Sequence, residues 1–231
     1  MTEIKHIYFD LDHTLWDFQT NSRSALAELF QKYIAGFGRV SDADEFIRCY
    51  EEINDRLWSL YRNRRISKSR LRNARFEHTL SAFGINDKKL SRILSDEYVA
   101  ISPVKTALMP GAEETLKQLS GQYTLHIITN GFEEIQHIKL RNSGIIDYFD
   151  KVVTSESAGA SKPNRRIFDY AAKLLNAHPR ELLMVGDSIE TDVQGAMKCG
   201  WRAVLYSPRQ QVSSNEFAVI SDLRELAGVI R

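Results

Sequence analysis

Asp10 and Asp12 stand directly after a short apolar run, in the segment Phe9-Asp10-Leu11-Asp12-His13-Thr14. Side chains two positions apart in an extended segment point the same way, so the pair can act together. One carboxylate can attack phosphorus while the other protonates a leaving oxygen and later activates water. Other polar residues follow later apolar runs: Thr129-Asn130-Gly131, Lys162 before Pro163, and Gly186-Asp187 with Asp192. Carboxylates gathered in one crevice repel, by roughly 4 kcal/mol for a pair about 4 Å apart at an effective dielectric near 20. Such a cluster demands a proton or a cation. All-oxygen ligands select a hard cation, and a small octahedral site completed by water and phosphate suits Mg2+. No histidine pair has metal-ligand spacing, which disfavours zinc. Asp10 and Asp187 are expected to hold the metal. Thr129, the backbone N–H groups of Asn130 and Gly131, and Lys162 are expected to hold the remaining phosphoryl oxygens. Asp192 either caps the segment that follows or orients the metal ligands from behind.

Residues this far apart in the chain meet only if the segments before them lie side by side. Ile4–Phe9, Tyr123–Ile128, Lys151–Thr154, Leu182–Val185 and Arg202–Tyr206 read as strands, with Phe217–Ile220 as a short sixth. Runs apolar on both faces, separated by helical segments, indicate an α/β fold with a parallel sheet covered on both sides. In such sheets ligands bind beyond the C-terminal ends of the strands, where every one of these polar residues falls. Pro110-Gly111 opens a helix through Leu119. Segments from Glu133 to Asn142 and from Ile189 to Cys199 stop at Gly144 and Gly200, the expected C-terminal glycines. Pro163 precedes a helix carrying Ile167, Phe168, Ala171 and Leu174.

From about Asp17 to Pro103 only helical periods occur. One stripe holds Leu26, Leu29, Phe30 and Tyr33; a second holds Phe46, Tyr50, Ile53, Leu57 and Tyr61. A third runs from Leu71 to Phe83 and a fourth from Leu90 to Ile101. The expected organisation is a core of residues 1–16 and 104–231, with a four-helix cap of residues 17–103 inserted after the first strand. Arg56 to Arg75 contains eight basic residues and no acid. It reads as a solvated cap face, from which Trp58 and Arg75 are the candidates to stack on or pair with a substrate.

The 231 residues are 43% hydrophobic and 26% charged, enough for one sizeable core carrying an insertion. Lys and Arg number 31 against 30 for Asp and Glu, so the charge balance requires neither a nucleic-acid polymer nor a membrane as partner. Met1-Thr2-Glu3-Ile4-Lys5-His6 lacks the apolar core of a secretory signal. Cys49 and Cys199 form no metal-type pair and are expected as reduced thiols in a cytoplasmic protein.

At its polar clusters the chain resembles the haloacid dehalogenase superfamily, specifically its phosphatases. Asp10-Leu11-Asp12-His13-Thr14 matches the DxDxT motif and Thr129 the second-motif threonine. Lys162-Pro163 matches the third-motif lysine, and Gly186-Asp187 through Asp192 the GDxxxxD motif. The resemblance implies a Rossmann-like three-layer core with sheet order 5-4-1-2-3 and a helical cap between the first two motifs. It also implies an aspartyl-phosphate on Asp10, Asp12 as general acid and base, and Mg2+ held by Asp10, Asp187 and the Asp12 backbone carbonyl. His13 departs from the Asp or Gly more usual at its position, with an effect expected on loop geometry or local charge. Thr129-Asn130-Gly131-Phe132 with Gln136, Leu140 and Tyr148-Phe149 is similar to the bacterial house-cleaning pyrimidine 5′-nucleotidases. Ser161-Lys162-Pro163-Asn164 and the cap residues Leu57-Trp58, Tyr61 and Arg75-Phe76 fit the same branch. A small phosphomonoester, first a nucleoside 5′-monophosphate, is the expected substrate of a monomer or homodimer. Sugar phosphates and N-acylneuraminate 9-phosphate are the alternatives, since phosphatases for the latter share much of the pattern. Dehalogenases of the superfamily lack an aspartate at the position of Asp12. The cap has no obvious likeness to the sugar-phosphate mutases. An idle binding protein would not need the full set of acids with Lys162.

Overall fold

The computed structural model describes residues 3–40 and 42–230. Met1, Thr2, Ser41 and Arg231 lie outside the described residues, and with them the first two positions of the N-terminal reading. Strands β1 (His6–Phe9), β2 (Thr124–Thr129), β3 (Phe149–Thr154), β4 (Leu182–Gly186), β5 (Arg202–Tyr206) and β6 (Ala218–Ile220) form one sheet. Every pairing is parallel, in the order β3-β2-β1-β4-β5-β6. This is the 5-4-1-2-3 arrangement with β6 added at one edge. The longer helices are α1 (Phe18–Leu29), α2 (Ala43–Arg62), α3 (Lys68–Ala82), α4 (Lys88–Ile101), α5 (Ala112–Leu119), α6 (Glu133–Asn142) and α7 (Arg165–Leu175).

The sheet is covered on both faces because its strands are apolar at alternate and intervening positions. Ile7, Phe9, Leu125, Ile127, Leu183 and Val185 pack with Leu116 and Leu119 of α5. Tyr8, Ile128, Leu182 and Met184 turn the other way, against Ile167, Phe168 and Ala171 of α7. Fully burying such side chains stabilises by about 1.5–3 kcal/mol each, and the period of two assigns them to the two faces. Phe9 lies level with Ile127 on one side and Val185 on the other. The chain therefore leaves β1, β2 and β4 at the same edge.

Two elements differ from the sequence reading. β3 begins at Phe149 rather than Lys151, and its register against β2 shifts between Leu125 and His126. Exposed Asp150 interrupts the apolar run there, which hides the first half of this edge strand from a pattern argument. Ile189 to Cys199 is helical as expected but not uniformly α: Ile189–Gln194 is a π-helix that runs into a single α turn, Gly195–Met197. The Val193 N–H reaches back to the Ser188 carbonyl, five residues earlier, which widens the turn. A β-carbon at Gly195 would stand 2.8 Å from the Phe168 ring, so glycine permits the close packing of this segment on α7.

The chain divides into two compact units, Met1–Phe18 with Thr106–Arg231, and Gln19–Lys105. The second contains the rest of α1 with α2, α3 and α4. Asp42, Ser67 and Asp87 cap the last three through side-chain acceptors, which satisfies N–H groups the first turn leaves open. Its own core is built from Leu26, Leu29, Phe46, Tyr50, Phe76, Leu94 and Tyr98. No helix among the described residues is long and apolar enough to cross a membrane.

Candidate active site

Beyond β1 the ladder continues one step, with the Asp10 N–H donating to the Val185 carbonyl at 2.9 Å. The chain then folds back on itself. The Leu15 and Trp16 N–H groups both donate to the Leu11 carbonyl, and the His13 N–H donates to Trp16. This turn puts His13 at φ 67°, the left-handed region that crowds a β-carbon and favours Gly, Asn or Asp. The expected effect of His13 on loop geometry thus has a backbone basis. Its ring packs 4.9 Å from that of Phe18.

Lys162 is the centre of the buried network. Its ammonium donates to Asp10 Oδ1 at 2.6 Å and to the Ile128 carbonyl at 2.9 Å, and lies 2.7 Å from Asp192 Oδ1. An ammonium has three protons, so all are engaged by protein acceptors. Asn130 fixes the backbone that carries it: Oδ1 accepts from the Lys162 N–H at 2.7 Å and Nδ2 donates to the Lys162 carbonyl at 3.0 Å. Asp192 is held in turn by the Ser188 N–H at 3.1 Å and is 1% exposed. It lies against Gly186, where a β-carbon would come within 2.3 Å of its Oδ2.

Asp12 is held by other hands. Lys139 Nζ donates to Oδ1 at 2.5 Å and Gln136 Nε2 to Oδ2 at 2.9 Å. The same Nε2 donates to Thr129 Oγ1 at 2.7 Å, and the Gly131 N–H donates to that hydroxyl at 3.0 Å. With two hydrogen bonds accepted, the Thr129 hydroxyl has its own proton left to give. The Gly131 N–H, expected to face a phosphoryl group, is occupied within the loop. Thr14 Oγ1 lies 3.4 Å from Asp187 Oδ1.

Carboxylate oxygens of Asp10, Asp187 and Asp192 lie within 4.8 Å of one another, while the Asp12 carboxylate is outside this group. Burial raises the Asp10 pKa first; Lys162 opposes it, and the charges of Asp192 and Asp187 push it further up. Asp187 is also raised, by desolvation first and Asp192 next, with His13 and Lys162 opposing. Lys162 is held above its ordinary value despite its burial, because Asp10 and Asp192 outweigh that cost. For Asp12, burial would raise the pKa, but the charge and hydrogen bond of Lys139, with Gln136 and His13, bring it down overall. Lys162 offsets one of three clustered carboxylates, and like charges this close favour a further cation. Hard oxygen donors fit Mg2+.

Of the cap candidates, Trp58 is half-buried on α2, edge-on to Tyr61 at 5.7 Å. Arg75 on α3 is only 6% exposed, with its guanidinium 5.2 Å from the Tyr98 ring centre and 5.9 Å from that of Tyr50. Asn54 Oδ1 is 3.5 Å from its Nη1. Sequence reasoning gave no role to Lys139, although both Gln136 and Lys139 are buried on α6. The available signal was a lysine at helical spacing beside the buried Leu140.

A family model for haloacid dehalogenase-like hydrolases matches residues 4–200. The chain is 36% identical to the pyrimidine 5′-nucleotidase YjjG of Escherichia coli (strain K12), over 84% of this chain and 82% of that protein. It is 32% identical to the pyrimidine 5′-nucleotidase PynA of Streptococcus pneumoniae (strain ATCC BAA-255 / R6), over 88% and 84%. Among solved structures, magnesium-bound HAD-hydrolase YfnB of Bacillus subtilis superposes with a TM-score of 0.88 at 25% identity, covering 99% of each chain.

Proposed function

The chain belongs to the haloacid dehalogenase-like hydrolases, and from that premise we propose that it is a Mg2+-dependent phosphomonoesterase acting on nucleoside 5′-monophosphates. The observation that carries the phosphatase reading is the cluster of buried Asp10 and Asp192, both paired with Lys162, with exposed Asp187, at the edge where β1, β2 and β4 end. The nucleotide preference rests on the two nucleotidase relatives.

Asp10 is the nucleophile. Its carboxylate attacks phosphorus, and the bond to the alcohol oxygen breaks with its electron pair. That oxygen takes a proton from Asp12. Lys139 and Gln136 hold Asp12 ionised in the free site, and it gains that proton from solvent as the negative charge of the bound phosphate raises its pKa. Water then attacks the phosphorylated Asp10 at phosphorus and gives its proton to Asp12. The bond between phosphorus and the Asp10 oxygen breaks, and its electron pair returns to Asp10. Asp10, Asp187 and the Asp12 carbonyl would hold Mg2+, which when bound offsets phosphate charge and polarises a phosphoryl oxygen. Asp192 orients this arrangement through Lys162 and the Ser188 N–H. Thr129 offers its hydroxyl proton to a phosphoryl oxygen, and Lys162 shares its charge with the transferred group. Asn130 acts through the Lys162 backbone, and Gly131 through the room it leaves for Gln136. In the cap, Trp58 is the residue proposed to stack on a base. Arg75 supports the cap's aromatic core, and its proposed influence on specificity is by shape.

Initial rates on nucleoside monophosphates, sugar phosphates and N-acylneuraminate 9-phosphate, with Mg2+ and with chelator, test this reading. Mg2+-dependent release of phosphate, highest on pyrimidine nucleotides and abolished in Asp10→Asn, is expected. A clear preference for sugar phosphates or N-acylneuraminate 9-phosphate would overturn the nucleotidase assignment. Activity retained in Asp10→Asn would overturn the mechanism.

A further inference from the structure

We propose that Lys139 and Gln136 are positioning residues that preset Asp12 to activate the water of the second half-reaction, an inference that rests on the phosphatase reading. Both lie on the buried side of α6, three residues apart and so on one face of the helix. That side of a short helix ordinarily carries apolar residues, because a buried ammonium or amide is costly unless fully partnered. Here each supplies one donor to one oxygen of the same carboxylate. A carboxylate that accepts at both oxygens has a fixed orientation, with its remaining lone pairs directed away from the two donors.

Three further observations show that the surroundings are built for this hold. The Lys139 ammonium sits 4.2 Å from the centre of the Trp16 ring and 5.4 Å from that of Phe18, two aromatic rings that add cation–π attraction to its bond with Asp12. Gln136 has a buried Oε1 with no hydrogen-bond partner, so the amide is kept for its N–H groups, which join Asp12 to Thr129. At Gly131 a β-carbon would stand 2.0 Å from Gln136 Nε2, so that position is cleared for the amide. Helix, loop and glycine thus converge on Asp12, and through Thr129 they link it to the phosphate-binding loop.

p-Nitrophenyl phosphate isolates the second half-reaction, because its leaving group departs without a proton. Steady-state and rapid-quench kinetics are to be measured on wild type, Lys139→Met and Lys139→Arg in Mg2+. Methionine keeps the apolar stem against Trp16 and removes the charge. In Lys139→Met, kcat is expected to fall about 100-fold and kcat/KM by less than about threefold, the range that loss of one acid–base contribution allows. A burst of p-nitrophenolate should appear, because the phosphorylated enzyme accumulates, and its amplitude counts the correctly folded sites. Lys139→Arg should restore much of kcat. If kcat and kcat/KM fall together without a burst, or neither changes, the inference is overturned while the phosphatase reading stands. Absence of Mg2+-dependent turnover in the wild type would overturn both.

Discussion

Gly186 and Asp192 show how little freedom the site leaves to a single atom. The carboxylate of Asp192 lies against the glycine, bonded to the Ser188 N–H and paired with Lys162. A methyl group at residue 186 would meet Asp192 Oδ2 at 2.3 Å and its β-carbon at 2.7 Å. Asp192 is short and buried, so it cannot swing aside without releasing those donors. Gly186→Ala is therefore expected to destabilise the fold by about 1–3 kcal/mol through overpacking. Displacing Lys162 from Asp10 by even about 1 Å should cost roughly 100-fold in kcat. Urea unfolding and phosphatase rates on the same preparation measure the two effects, and wild-type kcat would show that Asp192 does not hold Lys162 in place. The residue-scale reading of the sequence reached Asp10, Lys162, Asp187 and Asp192 because each follows a recognisable strand. It missed Lys139 because the partner that makes a buried lysine tolerable, Asp12, is remote in the chain and invisible to helical periodicity.

At the scale of elements, β1 and β2 carry a second feature, three residues before Thr129 in β2. His126 in β2 is fully buried, stacked 4.7 Å from the Tyr8 ring, with His6 Nδ1 3.3 Å from its Nε2. Burial first, and the neighbouring His6 next, lower its pKa to about 4. The unfolded chain, with an ordinary value of 6.5, binds a proton that the folded chain refuses. Stability is thus fully present above pH 6.5 and is lost as the pH falls toward 4. Between pH 7 and 5 this linkage should remove about 2 kcal/mol. His126→Phe keeps the ring against Tyr8 and is expected to flatten that part of the urea-stability profile; an unchanged slope would exclude His126 as its source. The strands themselves were legible because apolar runs of this length need burial on both faces. β3 was only half legible, since an edge strand can expose Asp150. The segment after Ser188 is helical as expected, but its first six residues wind as a π-helix, which shares nearly the same spacing of apolar residues with an α-helix. Hydrogen bonds five residues apart, not composition, separate them.

At the scale of the whole molecule, the insertion is closed off at its own roots. The Asp17 N–H donates to the Ala107 carbonyl at 3.0 Å, Trp16 pairs antiparallel with Leu108, and the Met109 N–H donates to Leu15 at 2.8 Å. The two chain crossings are therefore neighbours within the first unit, joined as the arms of a hairpin are joined. Neither sheet-covering cluster draws a buried side chain from residues 19–105, and the helical cluster draws none from outside them. Each unit thus carries the apolar burial that offsets its own conformational entropy. Replacing residues 19–105 by a Gly-Ser linker of about four residues, a length hairpins use, should leave a folded α/β unit. Far-UV circular dichroism and a single cooperative thermal transition would register it, and a non-cooperative transition would count against independence. Because the acids, Thr129 and Lys162 all belong to the first unit, this variant is expected to retain measurable Mg2+-dependent turnover of p-nitrophenyl phosphate. It should lose its preference for nucleotides, because the side chain proposed to stack on a base, Trp58, is removed with α2. Retained nucleotide preference would move substrate selection from the helices to the sheet edge itself.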